Sequence, residues 1–174
     1  MAIYEKTLGP THPSLARTLD NLANLSVKQH KYAEGEALYR RGLAIREKAL
    51  RADHPEIAGN LYNLGELLWE LKRYADAEPL FRRALDIRER VLGADSTLTA
   101  ESLYALGVLL SGTGRKDKAL PLLARAFEIL IKELPQGHRD RVDATKAYVE
   151  VLRALKRNAE ADAAEARGNR SGGG

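Results

Sequence analysis

With 174 residues, 44% of them hydrophobic and 30% charged, the chain has the composition of an ordinary folded domain and is too apolar for a disordered one. It contains no cysteine, which excludes disulfides, thiolate metal sites and cysteine nucleophiles and suits a reducing, cytoplasmic setting. The net charge of +4 is spread over alternating acids and bases, so neither nucleic acid nor a membrane surface is expected as partner, and no apolar run approaches the roughly 20 residues that span a bilayer.

Leu, Ala, Arg and Glu dominate, so the fold class expected is all-α. Taken in chain order, the opening AIYEKTL resembles the end of a helix pair, and residues 1–8 are expected to be a partial helix of a truncated preceding repeat. Residues 9–50 and 51–92 then align with 18 of 42 positions identical. His12-Pro13 falls on His54-Pro55, Tyr32-Ala33 on Tyr74-Ala75, and AIREKAL on DIRERVL. Residues 93–134 form a third copy, with SLYALGVLL over NLYNLGELL and Pro121 over Pro79. Residues 135–167 are a degenerate fourth copy or C-terminal cap, in which His138 keeps the register, and the closing 168–174 is expected to be a flexible tail or fusion remnant.

Each copy spells two helices. In the second, Pro55 suits a first helical turn, and Ile57, Leu61, Leu64, Leu68 and Leu71 recur at helical spacing. A turn after Lys72-Arg73 leads to a second helix from about Ala75 to Leu92, whose stripe is Tyr74, Ala77, Phe81, Ala84, Ile87 and Val91, with Pro79 near its first turn. Small residues in register, Ala23, Gly65 and Gly107 on first helices and Gly42, Ala84 and Ala126 on second helices, point to close helix packing. Ser26, Gly35 and Gly42 predict looser packing in the first copy.

NLYNLGELLWELKRYADAEPLFRRALDIRE resembles a tetratricopeptide repeat, and the 42-residue period with its HP start and NLA/NLG stretch is similar to the kinesin light chain subtype. That resemblance implies a right-handed α-α superhelix, or solenoid, of antiparallel helix pairs. It further implies that first helices line a concave groove, second helices form the convex back, and the protein is a peptide-binding adaptor.

Helical geometry sets the core stripe of the second copy about 140° from Asn63, so Asn63 and its register mate Asn21 face away from their own partner helix. A side-chain amide offers donor and acceptor together and can pair with a ligand's backbone. Ala105 replaces them in the third copy. The candidate groove comprises Arg17, Asp20, Asn21, Asn24 and Lys28 in the first copy and Tyr62, Asn63, Glu66, Trp69 and Glu70 in the second. Tyr104, Val108 and Ser111 follow in the third, and Lys146, Glu150 and Arg153 in the fourth. The variant of the family that clamps a C-terminal carboxylate needs cations where this chain has Asp20, Tyr104 and Val108, so a carboxylate clamp is not expected.

No cofactor, metal or catalytic group is expected. His12, His54 and His138 sit at one junction of different repeats, about 10 Å apart for neighbours, too far for shared zinc ligation. Capping or loop packing suits them better. SGTGRK lacks phosphate-loop spacing and a preceding strand, and reads as the inter-helix turn with Gly114 as the stop. Arg40-Arg41, Arg82-Arg83 and Arg125, interleaved with Glu47 and Glu89, suit a solvated back. The alternative to peptide binding is a self-association or intramolecular regulatory module of a larger protein, using an exposed apolar edge at Ile3 to Leu8 or the alanine-rich end.

Overall fold

The computed structural model describes residues 13–169; the partial helix expected at 1–8, His12, and residues 170–174 of the tail expected at 168–174 lie outside them, whereas Gly168 ends the last described helix and is buried. Eight α-helices and no strand occur among the described residues. They are α1 Pro13–Lys28, α2 Tyr32–Ala49, α3 Pro55–Glu70, α4 Tyr74–Leu92, α5 Thr97–Gly112, α6 Lys116–Glu133, α7 Arg139–Ala154 and α8 Asn158–Gly168. Two compact units divide the chain, one up to Ile87 and one from Arg88. No helix among the described residues is long and apolar enough to cross a membrane.

One turn recurs in all four copies. At the ends of α1, α3, α5 and α7, His30, Lys72, Gly114 and Lys156 adopt φ between +59° and +82°. The next residue's N–H returns to a carbonyl five residues back: Lys31 to Ser26, Arg73 to Leu68 and Arg115 to Leu110 at 2.8 Å, and Arg157 to Leu152 at 2.9 Å. This left-handed ending satisfies the orphan carbonyls of a helix C-terminus and reverses the chain into the second helix. At the opposite junction, the Glu56 and Asp140 N–H groups donate to Nδ1 of His54 and His138 at 3.2 and 3.3 Å. The two described junction histidines are N-caps.

In the first unit, α3 packs on both α2 and α4, and its buried face is wider than the expected stripe. Ala58, Asn60, Gly65 and Leu67 join Ile57, Leu61, Leu64 and Leu68 below the surface. A Cβ on Gly65 would meet the Phe81 ring of α4 at 2.7 Å, so the bare backbone is what lets the ring seat. Looser packing in the first copy is corrected: Ser26, Gly35 and Gly42 are buried, and a Cβ on Gly42 would meet Asp20 Oδ1 at 2.8 Å. Along α4, Ala77, Phe81, Ala84 and Ile87 are buried as expected, whereas Val91 is exposed, and Pro79 is the sixth helical residue rather than a first-turn one.

In the second unit, Gly107 on α5 lies against Leu123 of α6 at the same kind of approach. Phe127, Val149, Leu152, Ala161 and Ala164 join α6, α7 and α8 in one cluster. Arg141, 3% exposed, donates to the Leu134 carbonyl at 2.9 Å and the Gly168 carbonyl at 3.2 Å, tying the end of α6 to the end of α8.

Candidate peptide-binding faces

Within the first unit the expected site residues divide into two sets, those consumed by the fold and those left facing outward. Asp20 belongs to the first set. Its Oδ2 accepts from Arg46 Nη2 and its Oδ1 from Asn60 Nδ2, both at 2.6 Å, while Arg46 Nε also donates to Glu56 at 3.2 Å. Arg46 is 4% and Asn60 1% exposed, so α1, α2 and α3 are bound by a buried charged knot. Two of its atoms, Arg46 Nη1 and Asn60 Oδ1, are buried without a partner, which offsets part of the stabilisation. Asp20 thus serves helix packing and is not an outward ligand group.

Neither Arg46 nor Asn60 was among the expected site residues. A signal existed: Arg46 and Arg88 are 42 residues apart, each directly after an isoleucine of the apolar stripe. Arg88, in the second unit, is likewise buried and donates to the Leu98 carbonyl at 2.6 Å and Ser102 Oγ at 2.9 Å.

Tyr62 is also drawn inward. It packs on the cluster of Ile57, Ala58 and Leu61, with its ring 5.8 Å from that of Phe81. Asn24 accepts from the Tyr39 hydroxyl at 2.5 Å, and Glu70 accepts from Tyr32 at 3.0 Å, with His30 Nδ1 2.9 Å from the same hydroxyl. Hydrogen bonding to Glu70 raises the Tyr32 phenol pKa. Burial, then the charges of Asp20 and Glu66, push Tyr39 up to about 12.

Arg17, Asn21, Lys28, Glu66 and Trp69 are exposed in the first unit, as are the hydrogen-bonded Asn24 and Glu70. Asn21 is exposed and Asn63 half-buried, and no described residue hydrogen-bonds either side-chain amide. Trp69 is 42% exposed.

In the second unit, Tyr104, Val108 and Ser111 of α5 are half-buried. Burial raises the Tyr104 pKa, Asp143 and Glu150 add to the rise, and Arg139 opposes it. Lys146 and Glu150 of α7 are exposed, and Arg153 is engaged by Glu165 at 2.7 Å. No group of three histidine, cysteine or acidic residues that could hold a metal occurs among the described residues.

The arginines of the second helices form rungs on each unit. In the first, Arg83 pairs with Glu47; in the second, Arg125 pairs with Glu89 at 2.8 Å and Arg167 with Glu128 at 2.7 Å. Exposed pairs of this kind contribute little stability each.

The tetratricopeptide repeat family is matched over residues 1–48, 18–89 and 56–132. Among solved structures, the chain is similar to a point variant of the nearly identical TPR-like repeats of a putative kinesin light chain from Podosopora anserina. The identity there is 23% over 96% of this chain and 79% of that one, with a TM-score of 0.80. It is similar to BtubC (BKLC) from P. vanneervenii at 24% identity over 90% of this chain and 63% of that one, TM-score 0.79. MamA matches at 14% identity, 96% and 81% coverage and a TM-score of 0.68. These likenesses carry the all-α repeat solenoid fold. No match was found among curated proteins.

Proposed function

Because this chain belongs to the tetratricopeptide repeat family, we propose that it is a protein-interaction scaffold, without chemistry of its own, whose first-helix faces hold an extended or short helical peptide segment of a partner. The observation that carries the reading is the pair of unpartnered amides, Asn21 on α1 and Asn63 on α3, one repeat apart in register. A side-chain amide turned outward can pair with both the N–H and the C=O of a ligand peptide unit, giving grip without sequence readout. Asp20, by contrast, is neutralised by Arg46 and adds no exposed charge beside Asn21. The ligand is an internal segment rather than a chain end, since no cation stands where a terminal carboxylate would be clamped. A reducing compartment suits a cysteine-free scaffold of this kind.

The test is binding of capped, randomised decapeptide pools to the wild-type chain and to Asn63→Ala. A drop in affinity with an unchanged helical melt supports the reading. Equal affinity for any pool that binds would remove Asn63 from the site. Light scattering at tens of micromolar distinguishes this from self-association, for which a peptide-binding monomer is the contrary result.

A further inference from the structure

Gly59 is the fifth residue of α3, inside the helix, where glycine is the poorest choice after proline because it gives up the most backbone freedom on folding. Glycine is kept in such a place where a neighbour leaves no room for a Cβ, where the backbone is left-handed, or where a ligand approaches closely. The first reason holds elsewhere in the chain and fails here. A Cβ on Gly35, Gly42, Gly65 or Gly107 would meet another side chain at 2.7 or 2.8 Å, whereas one on Gly59 would meet nothing within 4 Å. The second fails too, since the left-handed glycines among the described residues are Gly93, Gly114 and Gly137.

The repeat does not demand this glycine either. The positions in register with it are Arg17, Glu101 and Asp143, all charged, so the bare backbone is peculiar to the second copy. Gly59 lies one turn before Asn63, a spacing that sets residues about 5–6 Å apart at Cβ on one helix face. Both are half-buried, and no described residue hydrogen-bonds the Asn63 amide. On α3 an unclaimed amide, donor and acceptor together, thus stands beside a stretch of helix without a side chain.

On the premise that the first unit binds peptide, we infer that Gly59 is the seat of the ligand's main chain. An internal segment of the partner protein crosses α3 in extended form, its backbone against Gly59 and one peptide unit paired with Asn63. Such pairing brings heavy atoms to about 2.9 Å, a distance at which a side chain one turn away would obstruct the approaching backbone. A helical ligand has no peptide unit to offer, because its own are bonded internally and covered by its side chains. On α1 the place beside Asn21 is filled by the exposed Arg17, so the closest approach falls on α3.

The test compares the wild-type chain with Gly59→Ala and Gly59→Gln, using dye-labelled, capped, randomised decapeptide pools read by anisotropy. Gly59→Ala is expected to melt about 2–4 °C higher, because a better helix former enters where a Cβ has room. Affinity is expected to fall roughly three- to tenfold in Gly59→Ala and more than tenfold in Gly59→Gln. The far-UV spectrum of each complex should equal the sum of its parts. Unchanged affinity of Gly59→Gln for a pool that binds the wild-type chain overturns the seat and leaves peptide binding standing. A gain of helical signal on binding does the same, as does a lower melting temperature for Gly59→Ala, which would show that the fold itself needs the glycine. Absence of binding to the wild-type chain by every pool at about 1 mM overturns the peptide-binding reading itself, and the seat with it.

Discussion

Lys72 stands at φ +59° in a turn whose third-copy counterpart is Gly114 at φ +82°. The hydrogen bonds of that turn are made by the backbone, so they do not depend on which residue occupies it. The left-handed conformation costs a residue with a Cβ about 1–2 kcal/mol, and glycine escapes this at some cost in unfolded-chain entropy. Lys72→Gly is therefore expected to stabilise the chain by about 0.5–1 kcal/mol and Gly114→Ala to destabilise it by about 1 kcal/mol, both read from thermal melts. Tyr39 gives a pH signature at the same scale. Its folded pKa is raised from the ordinary 10.0 to about 12, so the folded state prefers the neutral phenol. That stabilisation is fully present below pH 10 and is lost as pH rises through the folded value. Stability measured in urea should fall between about pH 10 and 12, and Tyr39→Phe should flatten that fall while losing the bond to Asn24.

Among the elements of the first unit, the knot of Arg46 with Asp20, Glu56 and Asn60 does what an apolar stripe alone cannot. It joins α2 to α1 and α3 at one point and fixes how the two first helices meet. Gly42 is part of the device, because a Cβ there would press on Asp20 Oδ1 at 2.8 Å and Asn60 Nδ2 at 3.2 Å. Arg46→Met keeps the stem's packing but leaves Asp20 and Asn60 with unmet groups, and is expected to cost about 2–4 kcal/mol in chemical denaturation. In the second unit, Arg88 reaches from α4 to α5 and Arg141 joins the ends of α6 and α8. The two units thus use buried guanidinium groups for the same end with different partners.

For the molecule as a whole, a tandem repeat places first-helix side chains at intervals set by the period, and a ligand reads several of them together. Asn63→Ala touches no partner among the described residues, so its expected effect is on binding and not on folding, about three- to tenfold in affinity for one or two lost hydrogen bonds. Peptide titrations of the variant beside its far-UV melt measure both sides of that statement. The faces are already formed by packed helices, and saturation with peptide should leave the far-UV signal of the protein unchanged.

The all-α class, the helix pairs and the repeat register follow from the sequence alone, because period and apolar spacing are local properties that every copy restates. His54 and His138 as caps, Gly114 as a helix stop and the close approach at Gly65 were legible for the same reason. The fates of polar side chains were not. Asp20, Asn24, Tyr62 and Glu70 were expected on one face with Asn21 and Asn63, yet Arg46, Tyr39, Phe81 and Tyr32 engage the first four and leave the amides unpaired. Which hydrogen bond or ring contact a side chain makes depends on residues 15 to 40 positions away, so only the tertiary structure could decide it.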